Sequence, residues 1–154
     1  MSKRKLVFII LSCAWMIVIF CFSDRDAVES EHDSYKVGLT VGRIIVPHFE
    51  EKSEKEQLEF AKKIDHPIRK AAHATEYAIL GMLLVGVFYS FVNWRPAFPF
   101  IISVLYAITD EFHQLFVPGR DGNVTDVMID SMGALIGIFI LSFILWIIKK
   151  KKMV

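Results

Sequence analysis

Cysteine is scarce: the 154 residues include two, Cys13 and Cys21, both inside one apolar run. A disulfide framework is therefore not expected, and they read as small packing residues. Net charge is nearly absent too, at +1. With no basic groove, no aromatic-basic interleaving and no nucleic-acid motif, nucleic acid is not an expected partner. There is no glycine-rich phosphate loop, no dinucleotide fingerprint and no serine motif of hydrolase type, so soluble nucleotides and nicotinamide cofactors are not implied. Internal repeats and low-complexity segments are also missing.

What the chain does have is segregation. A hydrophobic share of 54% with 23% charged residues would on average suit a soluble domain. The two classes are instead sorted into long apolar runs and charge-dense stretches, the pattern of a membrane protein. The length leaves room for one domain, 1–154.

Four runs qualify as spans, at about 6–22, 71–92, 97–116 and 127–148 by the length a bilayer requires. The first follows Lys3, Arg4 and Lys5, which also describes a signal peptide. It continues to Phe22, however, and Cys21-Phe22-Ser23-Asp24 offers no small-x-small cleavage site. The apolar stretch before Cys13 is too short for a lipobox. An uncleaved anchor is expected. The fold expected is an all-α membrane protein, a four-transmembrane-helix bundle.

Orientation follows from flanking basic residues. With four spans, Lys3 to Lys5, Arg95 and Lys149 to Lys152 share one side, which predicts both termini in the cytoplasm. Trp94 and Trp146 sit at the same boundary, where indole rings prefer to lie. The segment 23–70 is then a long extracytoplasmic loop. Its apolar patch, Val37 to Val46, and its charged stretch, Glu50 to Lys63, predict short helices lying on the bundle or in the outer interface.

The spans carry ionisable residues, which are costly in a bilayer and mark function or internal pairing. At a rise of about 1.5 Å per residue, Asp110 lies about 21 Å from Pro96, Glu76 about 25 Å from Asn93 and Asp130 about 28 Å from Lys149. Three helices thus deliver polar groups to the outer end of a layer about 30 Å thick. His73, Glu76 and Tyr77 share a helix face, with Arg69 and Lys70 above them. Tyr106, Asp110, His113 and Gln114 share another, with Glu111 beside it. Asp126 and Asp130 continue into Gly133 and Gly137, a face that lets helices approach closely. Between the last two spans, Val117-Pro118-Gly119-Arg120-Asp121-Gly122-Asn123 reads as a tight turn that holds Arg120 over the acids.

The plain alternative is a buried ion-pair network that fixes helix register. Against it, the acids outnumber the nearby bases. His113 alone reads as an interfacial side chain. An ion pathway is disfavoured because the inner halves of the spans are dry.

Several of these residues carry a resemblance. Arg69-Lys70-Ala71-Ala72-His73-Ala74-Thr75-Glu76-Tyr77-Ala78-Ile79-Leu80-Gly81 resembles the signature of the VanZ-like bacterial membrane proteins. Asp110-Glu111-Phe112-His113-Gln114, Phe116-Val117-Pro118-Gly119-Arg120 and Asp126 to Gly137 do likewise, although Asp130 stands where many members carry Asn. That departure weighs against an amide-specific role at this position. The similarity runs from Lys5 to Ile148, and its matching residues are Lys70, His73, Glu76, Tyr77, Asp110, Glu111, Gln114, Arg120 and Asp126. The resemblance implies a place in the cell envelope and, through the founding member, a link to low-level resistance to the glycopeptide teicoplanin.

Two functional classes suit the outer cluster. In the first, the protein is an enzyme acting on the head group of a lipid-linked envelope molecule. His73, Glu76, Asp110, Glu111, Gln114, Asp126 and Asp130 are then the candidate catalytic groups, and Arg69, Lys70, Tyr77 and Arg120 the candidate substrate-binding ones. In the second, it binds or remodels an outer-leaflet lipid, antibiotic or precursor without chemistry. The expected partners are membrane lipids or a lipid-linked precursor. No organic cofactor is expected. A divalent metal is permitted by the pairs His73 with Glu76 and Asp126 with Asp130, each able to present two ligands on one helix face, although no His-Glu-x-x-His or cysteine-rich pattern supports it.

Overall fold

The computed structural model describes residues 2–89 and 96–151, and within them every regular element is helical. The end of the second expected span (90–92), together with Trp94, Arg95 and Lys152, lies outside the described residues. The helices are α1 (Lys3–Ser23), α2 (Ala27–Ile45), α3 (Glu54–Phe88), α4 (Ala97–Gln114) and α5 (Val124–Lys151), with a short 3-10 turn at Phe49–Glu51.

Of these, α1, α3 and α5 are long and apolar enough to cross a membrane. The distribution of side chains agrees with a lipid environment. Phe112, Phe116, Phe139 and Phe143 are exposed, whereas Ser12, Ser103, Asp110, Glu111, Gln114 and Asp130 are buried. Water would punish such an inside-out arrangement, and hydrocarbon favours it. In α4 the buried positions Pro99, Ser103, Ala107, Asp110, Glu111 and Gln114 form one stripe, opposite exposed Phe98, Ile101, Leu105, Ile108 and Phe112.

The segment expected to be a loop with short helices departs from that expectation. α2 has 19 residues, and α3 has 35, running without a break from Glu54 through Pro67 to Phe88. At about 1.5 Å per residue α3 is about 52 Å long, well beyond the roughly 30 Å of a hydrocarbon layer. A capping box starts it: Ser53 Oγ accepts from the Glu56 N–H at 3.4 Å, and Glu56 Oε2 accepts from the Ser53 N–H at 3.0 Å. Asp26 caps α2 by accepting from the Glu29 N–H at 2.8 Å. The face α2 buries is the small one, Ser34, Gly38 and Gly42, with Gly38 against Ala61 of α3. The apolar patch points elsewhere, leaving Val37, Ile44 and Ile45 exposed. Close helix approach needs small side chains, so the seam follows the four-residue spacing of serine and glycine and not hydrophobicity.

α3 and α5 share the most extensive helix contact. They run parallel, with Gly133 on Ala74, Gly81 on Ala134 and Gly137 on Ala78. A Cβ at Gly81 would lie 2.5 Å from the Ala134 carbonyl oxygen, and one at Gly137 would overlap that of Ala78. α1 runs antiparallel to α3: Trp15 Nε1–H donates to the Glu76 carbonyl at 2.8 Å, and Phe8 covers Gly86. Tyr106 of α4 donates its hydroxyl proton to the Met16 carbonyl at 2.5 Å.

Gly137→Leu should therefore separate α3 from α5 and cost about 1–3 kcal/mol or more. Thermal unfolding of the detergent-solubilised protein should show a lower midpoint, while Ile136→Val, on the exposed side of α5, should change stability by under about 0.5 kcal/mol. Equal midpoints for the two variants would contradict this interface.

Candidate functional site

The ends of α1 and α4, the start of α5 and the middle of α3 meet at one end of the bundle. The lysines of α1 and α5 (Lys3 and Lys5; Lys149 to Lys151) lie at the opposite end of those helices. His73, Glu76 and Tyr77 project from α3, Asp110, Glu111 and Gln114 from α4, and Asp126 and Asp130 from α5.

Some of these groups are paired. Lys70 Nζ donates to Asp126 Oδ1 at 2.7 Å, across the α3–α5 contact. Arg69 Nη2 lies 2.7 Å from Asp65 Oδ2, one helical turn away, and the other oxygen of Asp65 accepts from the Ser34 hydroxyl. Tyr77, fully buried, donates to Asp110 Oδ2 at 3.3 Å. The Asn123 N–H donates to Glu111 Oε2 at 2.9 Å, tying α4 to the start of α5. These contacts fix register, as a structural network would.

The centre differs. His73 Nδ1, Asp110 Oδ1, Gln114 Nε2 and both carboxylate oxygens of Asp130 are buried without a hydrogen-bond partner. Glu76 Oε2 lies 3.7 Å from His73 Nδ1, beyond hydrogen-bond range. One ligand-type atom each from His73, Asp110 and Asp130 falls within 4.8 Å of the others. Asp130 is 0% exposed, and an unpartnered carboxylate at that depth is expensive.

Arg120 reaches this centre from the turn after α4. Gly119 adopts φ 73°, a left-handed conformation natural to glycine, and a side chain there would also crowd Ala27. The Ala27 N–H donates to the Pro118 carbonyl at 3.2 Å, and Arg120 Nε–H donates to the Arg25 carbonyl at 3.1 Å. The turn is thus held against the start of α2. Burial draws the Arg120 pKa below the usual guanidinium range and Arg69 adds to this, while Glu111, Asp110 and Glu76 oppose it.

Two cavities flank the centre. A polar one of about 300 Å³ is lined by Lys70, Gln114, Asn123, Asp126 and Asp130 among others. The second, of about 290 Å³, has Phe22, Val37, Ile68 and Ala72 on its wall, with Glu76 and Arg25. Arg69, His73 and Arg120 line both. Tyr77, Asp110 and Glu111 line neither cavity; they stand behind the residues that do.

Several neighbours escaped the sequence. Trp15 of α1 fastens the turn carrying Glu76, and Asp24 meets His113 Nε2 at 3.0 Å. Ser34 and Asp65 hold Arg69 from outside the expected spans. The spacing of Asp65 and Arg69 was a readable helix pair. The register of α2 against α3 was not, because it depends on a partner helix.

Comparison with known proteins gives one family match, to the VanZ/LLP1 model over residues 8–146. No curated protein matches, and no solved structure matches. The match covers nearly the whole chain, from α1 to near the end of α5, and includes every residue of the polar cluster; the protein belongs to the VanZ/LLP1 family.

Proposed function

We propose that this protein is a membrane enzyme acting on the anionic head group of a lipid-linked cell-envelope molecule at the outer membrane face. The observation that carries it is the wall shared by a polar and a partly apolar cavity, formed by Arg69, His73 and Arg120. An amphiphile would set its head group among Arg120, Arg69 and Lys70 and its first apolar atoms near Phe22, Val37 and Ile68. Guanidinium and ammonium groups suit phosphate oxygens. His73 and Asp130 then face the linkage to be broken, with Glu76, Asp110 and Gln114 around them. Glu111 and Asp126 support the turn and the cationic rim.

The topology proposed with this function has α4 as a fourth span beside α1, α3 and α5, with both termini cytoplasmic and the α2–α3 hairpin outside. The lysines at the far end of α1 and α5 support it through the cytoplasmic preference of such residues. A C-terminal fluorescent fusion should light up in the cytoplasm. A cysteine placed at Asp33 in a chain lacking Cys13 and Cys21 should react with a membrane-impermeant maleimide in intact cells. Protection of that cysteine, or a dark fusion, would overturn the orientation.

A second function has support in the engagement of Lys70 and Arg69 with Asp126 and Asp65. In it the protein holds an outer-leaflet lipid, antibiotic or precursor without turnover. Family membership favours a contribution to teicoplanin tolerance under either function, so deleting the gene from its host should lower the inhibitory teicoplanin concentration. An unchanged value would remove that link.

Purified protein in lipid nanodiscs with labelled lipid-linked substrates should yield product. His73→Asn should slow turnover by about 100-fold or more, and Arg120→Ala should weaken substrate binding by about tenfold to a hundredfold. Wild-type binding without product, with binding intact in His73→Asn and lost in Arg120→Ala, would replace the enzyme by the binding protein.

A further inference from the structure

We infer that His73, Asp110 and Asp130 together hold one divalent metal ion of the borderline class that accepts imidazole with carboxylate, Zn²⁺ or Mn²⁺. The ligand set differs from the same-helix pairs suggested by spacing. Glu76 is not among the ligand-type atoms that converge on His73, and Asp126 is engaged by Lys70. The structure assembles instead one residue from each of α3, α4 and α5.

Distance supports the assignment. One ligand-type atom from each residue lies within 4.8 Å of the other two. Atoms bound at about 2.0–2.2 Å to one tetrahedral ion lie about 3.3–3.6 Å apart, so side-chain rotations that move these atoms by up to about an ångström close the set. Satisfaction of polar groups supports it further. Asp130 is 0% exposed and Asp110 3%; the Ser23 hydroxyl faces Asp110, while His73 Nδ1 and both Asp130 oxygens lack partners. A proton shared between the two carboxylates would join only one oxygen of each, and the remaining Asp130 oxygen would still be unpartnered. Buried charges otherwise occur paired or on metals.

Charge points the same way. Lys70 is spent on Asp126 and Arg69 on Asp65. Among the described residues this leaves Arg120 as the cation facing Glu76, Asp110 and Glu111, while Asp130 has these acids and Asp126 as its charged neighbours. A divalent ion offsets most of that surplus. The surroundings resemble the outer shell of a metal site: Tyr77 donates to Asp110 Oδ2 at 3.3 Å. Three protein ligands leave a position open for water or a head-group oxygen. A bound ion there acidifies water and polarises phosphoryl or carbonyl oxygens. That consequence rests on the enzyme proposed above, whereas metal content is read with no substrate present.

The test uses full-length protein, purified in detergent, exposed separately to Zn²⁺ and Mn²⁺, freed of loose metal and analysed by inductively coupled plasma mass spectrometry. About one equivalent of one of them is expected. His73→Asn and Asp130→Asn should each weaken that affinity by more than about a hundredfold, and Asp126→Asn by less than about threefold. Thermal unfolding guards against a misfolded variant: chelation should lower the wild-type midpoint, the same metal should restore it, and Asp130→Asn should respond to neither. Wild type without either metal, or Asp126→Asn as impaired as Asp130→Asn, would overturn the site. Stoichiometric metal without turnover would remove the enzyme and keep the site, whereas turnover in metal-free protein would keep the enzyme and overturn the ion's part in it.

Discussion

The contact between α3 and α5 is made with almost no side chain between the two backbones. Gly133 lies on Ala74, Gly137 on Ala78 and Gly81 on Ala134. Within hydrocarbon, burial of apolar surface gives helices little reason to prefer one another over lipid, so close packing and polar contacts decide association. The small-residue seam supplies the first, and the Lys70–Asp126 pair at its end supplies the second. Any side chain larger than alanine along this line would push apart the two helices that carry most of the polar cluster.

The cluster depends on that proximity. His73 lies one residue before Ala74, Tyr77 one before Ala78, and Asp130 one turn before Ala134. The side chains flanking the contact therefore meet Asp110, brought by α4 and touched by Tyr77. α1 reinforces the arrangement from the other side of α3 through Trp15 and the Glu76 carbonyl. Arg120 is added by the Gly119 turn, itself fastened to the start of α2. Each cation of the rim except Arg120 has its own acid, while the acids at the centre do not have their own cations. That imbalance is the feature on which the proposed site rests.

α2 shows why hydropathy alone misleads in such a chain. The eye is drawn to Val37, Ile44 and Ile45, yet these are exposed, and the helix docks through Ser34, Gly38 and Gly42. The exposed valine and isoleucines suit a lipid interface, whereas the seam suits a neighbouring backbone. Pro67 misleads in a similar way. Proline usually ends or kinks a helix, but here α3 passes through it, alongside the neighbouring α2.

By itself the sequence determined the helical membrane character, the apolar runs, the small face of α5 and the gathering of His73, Glu76, Asp110, Arg120 and Asp130 at one level. These follow from periodicity, rise per residue and the cost of charge in hydrocarbon, all local properties of one helix. Tertiary structure alone decided that 23–70 forms a long hairpin, that Lys70 is spent on Asp126, and that His73, Asp110 and Asp130 converge. The reason is geometric. Spacing along one helix states which residues share a face, but which face meets which depends on the crossing of backbones, and here glycine and alanine set that crossing.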